Sequence, residues 1–218
     1  MAPYARTEIL LITLIGAVIT AVVAWLAAWW ALLPVVIALA LLSFYRDPAR
    51  HPPTDPHVIL APADGKVVDI GRAVAGADGP PVLRIMIFLS VFNVHINRSP
   101  CAGRVIDVQY RRGEFLNALR PEADARNESN TVRLEPAAPL PGPVRVRQIA
   151  GVLARRIVCT VRGGDSLTAG QRYGMIKLGS RTEVCLAEDP RWELLVAVGD
   201  RTYAGRTVLA RWRDTDTE

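Results

Sequence analysis

From Ile9 to Phe44 the chain carries no charged residue, a run of 36 positions. As a single α-helix that run would extend roughly 54 Å, against a hydrocarbon core of about 30 Å. One straight span wastes nearly half of it. Two shorter spans, roughly Ile9 to Trp25 and Ala31 to Phe44, joined near Trp29, Trp30 and Pro34, match the thickness and set tryptophans at the interface they favour. The expected amino-terminal unit, residues 1–48, is therefore a membrane anchor built as a transmembrane helical hairpin. A secretory signal would have a shorter apolar region ending at small residues. Here Leu42 is followed by Ser-Phe-Tyr-Arg-Asp-Pro. Arg6 precedes the run and Arg46 and Arg50 follow it, so the positive-inside tendency puts both flanks in the cytoplasm and requires an even number of spans. The remainder is expected on the cytoplasmic side of the cell membrane.

Residues 49–218 read as one further domain, entered through the proline-rich connector His51-Pro-Pro-Thr-Asp-Pro56. Beyond it, short apolar and β-branched runs alternate with Gly, Pro, Asp and Asn, which is a β pattern. Strands are expected at Val58 to Leu60, Gly65 to Ala73, Val82 to Leu89, Gly103 to Tyr110, Asn130 to Leu134, Val144 to Ala150, Val158 to Val161, Gly174 to Leu178, Thr182 to Leu186 and Arg206 to Ala210. Short helices are expected at Gly113 to Leu119 and Val152 to Arg156, and a helical turn or loop at Phe92 to Ile96. The fold class is mainly β (α+β), with a barrel-like catalytic domain.

The net charge of +5 suits an anionic lipid surface, or simply an arginine-rich exterior. Nucleic-acid binding is not supported, because Arg111-Arg112 and Arg155-Arg156 are too short to make a basic track. Cys101, Cys159 and Cys185 are odd in number and lack metal-ligand spacing, so neither a disulfide framework nor a metal site is expected.

The chemistry concentrates at Leu178-Gly179-Ser180, within Tyr173-Gly-Met-Ile-Lys-Leu-Gly-Ser-Arg-Thr-Glu183. A hydroxyl directly after a glycine can attack the preceding carbonyl, since glycine offers no side chain to block it and tolerates strained backbone angles. The peptide becomes an ester. Elimination across the serine then splits the chain and leaves a pyruvoyl group at the new amino terminus. Together with Ala61-Pro-Ala-Asp-Gly-Lys-Val67 and Phe88-Leu-Ser-Val-Phe-Asn-Val-His-Ile-Asn-Arg-Ser-Pro100, this segment resembles the short form of the phosphatidylserine decarboxylase family, with the three motifs in the family's order.

The resemblance implies a pyruvoyl-dependent enzyme that converts phosphatidylserine to phosphatidylethanolamine and carbon dioxide. Ser180 would become the pyruvoyl, which forms a Schiff base with the substrate and serves as the electron sink. Residues 1–179, ending at Gly179, would be the β chain and residues 180–218 the α chain, paired as a heterodimer. Of the three histidines, His95 lies in the family-like segment and is the candidate base for the serine hydroxyl. Asp64 would orient its imidazole. Longer family members carry two histidines three positions apart here, whereas this chain has His95 and then Arg98, which leaves the division of labour between His95 and Asp64 open. Arg98, Lys66 and Lys177 are candidates for the lipid phosphate, and Asn93 and Asn97 for the serine carboxylate or for positioning His95.

A rival reading comes from an internal echo. Ala61-Pro-Ala-Asp-Gly-Lys-Val-Val68 and Gly164-Asp-Ser-Leu-Thr-Ala-Gly-Gln-Arg-Tyr-Gly-Met-Ile-Lys177 both look like pieces of a biotinyl or lipoyl hybrid barrel. In that reading Lys177 is a carrier lysine on a hairpin turn, or the chain is a membrane adaptor with no decarboxylase activity. Against it, Lys177 runs into Leu-Gly-Ser rather than the second half of a carrier hairpin, and His95 would be idle.

Overall fold

The structure is a computed structural model, which describes residues 1–74, 80–152, 156–177 and 180–213. It divides into two units, Met1–Pro48 and Ala49–Glu218.

In the first unit, α1 (Arg6–Leu26) and α2 (Leu32–Phe44) fold back on each other through a 3-10 turn at Ala28–Trp30. Gly16 makes the close pass. A Cβ there would lie 3.0 Å from the Ala38 Cβ, and small residues at such a crossing let two apolar helices pack on backbone. The Ala2 amide donates to the Tyr45 carbonyl at 2.7 Å, so entry and exit lie at the same end of the hairpin. By length and composition α1, with the turn before it (Pro3–Leu26), qualifies as a membrane span, and Ala28–Phe44 is a shorter apolar segment. Trp29, 95 % exposed, marks the tip as expected. Pro34 does not. It sits in the first turn of α2, where the missing N–H would have had no intrahelical acceptor.

The second unit is mostly β. Its strands are β1 (Val58–Leu60), β2 (Gly65–Val74), β3 (Pro81–Leu89), β4 (Ile96–Arg98), β5 (Gly103–Arg111), β6 (Ser129–Pro136) and β7 (Val144–Ile149), then β8 (Ile157–Cys159), β9 (Ser166–Leu167), β10 (Arg172–Ile176), β11 (Ser180–Ala187), β12 (Trp192–Leu194), β13 (Arg201–Thr202) and β14 (Val208–Trp212). Eight of them form a curled half-barrel in the order β13-β2-β3-β11-β7-β6-β5-β9. Two three-stranded sheets, β1-β14-β12 and β4-β10-β8, complete the set. Alternation decides the faces. Ile85, Ile87, Val132, Leu134, Val144, Val146, Val184 and Leu186 point inward and join Ile59, Leu209, Ala210 and Trp212 in one core.

The expected strands all form, with shifted ends, and Leu178 lies outside the described residues. The short strands β4, β9, β12 and β13 have no apolar pattern long enough to announce them and exist through their partners. The helix expected at Gly113 to Leu119 is absent. Asn127 holds that segment extended, accepting from the Leu116 amide at 2.9 Å and donating to the Leu116 carbonyl at 2.8 Å, and the helical turn α3 falls instead at Ala123–Arg126. The helix expected at Val152 to Arg156 falls mostly on 153–155, outside the described residues.

Gly65, in the Ala-Asp-Gly-Lys motif, lets β2 close onto β3. A Cβ there would lie 2.3 Å from the Phe88 carbonyl oxygen, whereas one at Gly71 on the same strand meets nothing nearer than 3.9 Å. Gly65→Ala should cost roughly 1–3 kcal/mol through forced strand separation, and Gly71→Ala should be neutral or gain about 0.4–1 kcal/mol from a stiffer unfolded chain. Thermal unfolding of the two full-length variants in detergent checks the contrast; equal losses would remove the close-approach argument.

Candidate active site

Ser180 is the first residue of β11, and Leu89 at the end of β3 lies opposite it. The preceding strand, β10, belongs to a different sheet and pairs with β4 and β8. The chain therefore steps from one sheet to the other between Ile176 and Ser180. Leu178 and Gly179, and with them the carbonyl side of the proposed scissile bond, lie outside the described residues. Since β10 and β11 do not pair, Lys177 is not at the tip of a hairpin, and the carrier-lysine reading loses its geometric basis.

The Ser180 side chain points to the inner face with Thr182, Val184 and Leu186. It is 0 % exposed, and its hydroxyl has no hydrogen-bond partner among the described residues. A buried hydroxyl without a partner costs stability. Such a group is an expensive structural element and an inexpensive nucleophile.

His95 is joined to β10 through its backbone. Its carbonyl accepts the Ile176 amide at 3.1 Å, which ties it to the strand that runs towards Ser180. Its ring is fully buried, and Nδ1 lies 2.9 Å from the Asn93 carbonyl oxygen. A carbonyl can only accept, so Nδ1 carries the proton and a neutral ring keeps its lone pair on Nε2. Asn93 secures the loop beneath: its Oδ1 accepts from the Ser90 amide at 2.8 Å and from the Ser90 hydroxyl at 2.7 Å.

Both Asp64 oxygens accept hydrogen bonds. Oδ2 accepts from the Arg50 guanidinium at 2.7 Å, with both side chains nearly buried, and Oδ1 accepts from the Ala204 amide at 2.8 Å. Arg50 also lies over the Tyr203 ring, 5.6 Å from its centroid. The Thr202 hydroxyl donates to the Ala63 carbonyl at 3.0 Å, and the Gly205 amide donates to that of Ala61 at 2.9 Å. The Ala61-Pro-Ala-Asp motif is thus laced to residues 202–205, on the far side of Ser180 in sequence.

Asn97, in β4, is the centre of a buried polar chain. Asn130 Nδ2 donates to Gln148 Oε1 at 2.9 Å, Gln148 Nε2 to Asn97 Oδ1 at 2.9 Å, and Asn97 Nδ2 to Thr182 Oγ1 at 3.3 Å. Asn97 Nδ2 also lies 3.4 Å from the Pro62 carbonyl. Sequence reasoning missed Asn130, Gln148, Thr182 and Arg50. The first three carry a legible signal, for each is the polar member at an inward position of an apolar alternation: Asn130-x-Val132-x-Leu134, Val144-x-Val146-x-Gln148 and Thr182-x-Val184-x-Leu186.

The remaining candidates separate. Arg98 is buried and donates to the Gly170 carbonyl at 3.1 Å. Lys66 is exposed and stands opposite Phe88, which stands opposite Arg181, so it belongs to the sheet face away from Ser180. Lys177 is half-buried, three residues before Ser180.

The family model described as phosphatidylserine decarboxylase matches residues 37–210. A phosphatidylserine decarboxylase proenzyme of Rhodopirellula baltica is 44% identical over 216 residues, covering 97% of this chain and 89% of that one. One of Pelobacter propionicus is 40% identical over 211 residues, covering 97% and 92%, and one of Geotalea uraniireducens is 43% identical over 194 residues, covering 88% and 87%.

Replacing Asn97 by leucine would strand the Gln148 Nε2 donor and the acceptor side of Thr182 Oγ1 in an apolar interior. We expect Asn97→Leu to lose about 1–3 kcal/mol for each buried group left unpaired, read as a lowered unfolding midpoint of the full-length protein. Unchanged stability would mean that water, not Asn97, completes the chain.

Proposed function

The chain belongs to the phosphatidylserine decarboxylase family, and we propose that it makes its own catalytic ketone by cutting itself before Ser180. It is a decarboxylase, and decarboxylation of phosphatidylserine yields phosphatidylethanolamine and carbon dioxide. The observation that carries the self-cleavage reading is the buried Ser180 hydroxyl without a described partner, at the start of a central strand and in a neighbourhood that holds an imidazole in the basic tautomer.

In this reading His95 Nε2 accepts the Ser180 hydroxyl proton while the oxygen attacks the Gly179 carbonyl carbon. The peptide C–N bond breaks, and the proton passes to the departing Ser180 nitrogen. Loss of the Ser180 Cα hydrogen then breaks the Cβ–O bond and releases Gly179 as a carboxylate. Water replaces the nitrogen, which leaves as ammonia, and the pyruvoyl group remains. That group supplies an electrophilic carbonyl, which condenses with the substrate amine and takes up the electron pair released with carbon dioxide. The residues around Ser180 fit it, since position 180 is buried, desolvated and free of competing hydrogen bonds among the described residues.

After carbon dioxide departs, His95 returns a proton to the substrate carbon. Asp64, held by Arg50 and the Ala204 amide, acts as a positioning residue that orients the His95 imidazole. Asn97 positions β11 through Thr182. Asn93 and Lys177, on the two segments that flank Ser180, are the proposed contacts for the serine carboxylate and the lipid phosphate. Arg98 supports the turn at Gly170, and Lys66 lies on the wrong face for either role.

Residues 1–179 and 180–218 remain associated as a heterodimer, because β11 is hydrogen-bonded on both edges, to β3 and to β7. The apolar hairpin anchors the enzyme in the bilayer that holds its substrate, with both flanks in the cytoplasm.

Denaturing mass spectrometry of freshly expressed protein should show two pieces, the second beginning with a pyruvoyl group. Ser180→Ala should stay at about 23.8 kDa. His95→Ala should cleave more slowly by roughly 100- to 10,000-fold. A wild-type chain that stays whole, or a His95→Ala protein that matures and decarboxylates at the normal rate, would overturn the reading. Incubation with defined lipids and identification of the amine product tests the headgroup.

A further inference from the structure

The face of the half-barrel turned away from Ser180 carries a groove of about 520 Å³. Arg84, Arg111, Arg133, Arg145 and Arg147 line it, against the carboxylates of Asp124 and Glu183. Strand register aligns these cations. Arg84 stands opposite Cys185, Cys185 opposite Arg145, and Arg145 opposite Arg133, so three guanidinium-bearing residues share one row across β3, β11, β7 and β6. No acid stands between Arg145 and Arg133. Like charges directly opposite on neighbouring strands are destabilising.

The local acids pair with some of these arginines and, among the described residues, leave Arg111 and Arg145 without one; Asp124 and Glu183 are also shared with Arg181. Arg84 lies 3.4 Å from both Asp69 and Asp124, Arg133 lies 3.4 Å from Asp107, and Arg147 lies 3.8 Å from Glu183. Arg111 reaches only the Asp124 and Asn127 carbonyls, at 2.8 and 3.2 Å. The hydrogen bond recorded for Arg145 goes to the Cys185 thiol at 3.3 Å, a weak acceptor, and its buried Nε has no partner. Neither Arg111 nor Arg145 has a carboxylate within ion-pair distance among the described residues. Burial lowers the pKa of the Arg147 guanidinium; Glu183 opposes that, and Arg111 and Arg145 push it further down.

We propose that this groove binds a phosphate-bearing anion, separate from the site at Ser180. Several forked N–H donors converging on a cleft suit phosphate oxygens, and the volume admits a phosphate with a small organic substituent. The shared chemistry is a phosphate mono- or diester, supplied either by an anionic lipid headgroup or by a soluble phosphate compound. Glu183, in the wall of the groove, alternates along β11 with Ser180 and Thr182, so the groove lies behind the strand that bears Ser180.

The test follows thermal unfolding of the full-length protein in neutral detergent at fixed ionic strength. The probes are pyrophosphate, dihexanoyl phosphatidic acid and, as a control, dihexanoyl phosphatidylcholine. We expect one or both phosphate probes to raise the wild-type midpoint above the control, with affinity at least tenfold weaker in Arg111→Met/Arg145→Met. Stabilisation by the lipid alone identifies a headgroup; equal stabilisation by pyrophosphate identifies a soluble ligand. Because Arg111→Met also removes the bonds to the Asp124 and Asn127 carbonyls, each protein's response is read against its own anion-free midpoint. A wild type that responds to neither probe, or a folded variant that keeps the full response, overturns the proposal.

Discussion

The structure depends on the pairing of β11 along both edges. Every residue from Ser180 to Ala187 lies opposite a β3 partner, and Arg181 to Cys185 also lie opposite β7. That ladder begins with Ser180 opposite Leu89 and separates the inner face of Ser180 and Thr182 from the outer face of Arg181 and Glu183. A serine in a flexible loop would have neither a defined approach nor a dry environment. At the first position of a central strand, Ser180 has both.

The polar groups around it are held mostly by backbone and by neutral amides rather than by charge. His95 Nδ1 is set by a carbonyl two residues away, which fixes its tautomer. The run from Asn130 through Gln148 and Asn97 to Thr182 is directional, each amide donating to the next acceptor. A buried network of this kind is costly if one member fails and rigid if all are satisfied. The charged pair Arg50–Asp64 is used for a different purpose, to clamp the Ala61-Pro-Ala-Asp segment against the turn near Ala204.

Much of this was legible in the letters, and the rest was hidden for physical reasons. The long uncharged run gave the hairpin, because helix length and apolar character are local properties. The ten expected strands form because alternation is also local. The strand β4 was not visible, since three residues, Ile-Asn-Arg, have no period and are strands only because β10 lies beside them. The motifs named Ser180, His95 and Asp64 as candidates but not their partners. Asn93 supplies its carbonyl to His95, a backbone contact that no side-chain pattern encodes. Lys66 is two residues from Asp64, yet it shares the outer face with Phe88 and Arg181, which only the strand register reveals. Thr182, Gln148 and Asn130 were readable as polar breaks in inward alternations, had each been asked what it faces.

The interlocking of the segment after Ser180 with the segment before it also constrains when the proposed cleavage can take place. While the polypeptide is continuous, β11 finds the slot between β3 and β7 as an intramolecular search, helped by tethering. Were the chain cut before Ser180, as proposed, the shorter fragment would have to be recaptured from solution, a second-order encounter competing with aggregation of an exposed, apolar strand. The proposed scission therefore requires assembly first, and a molecule so cut and then melted would have no direct route home.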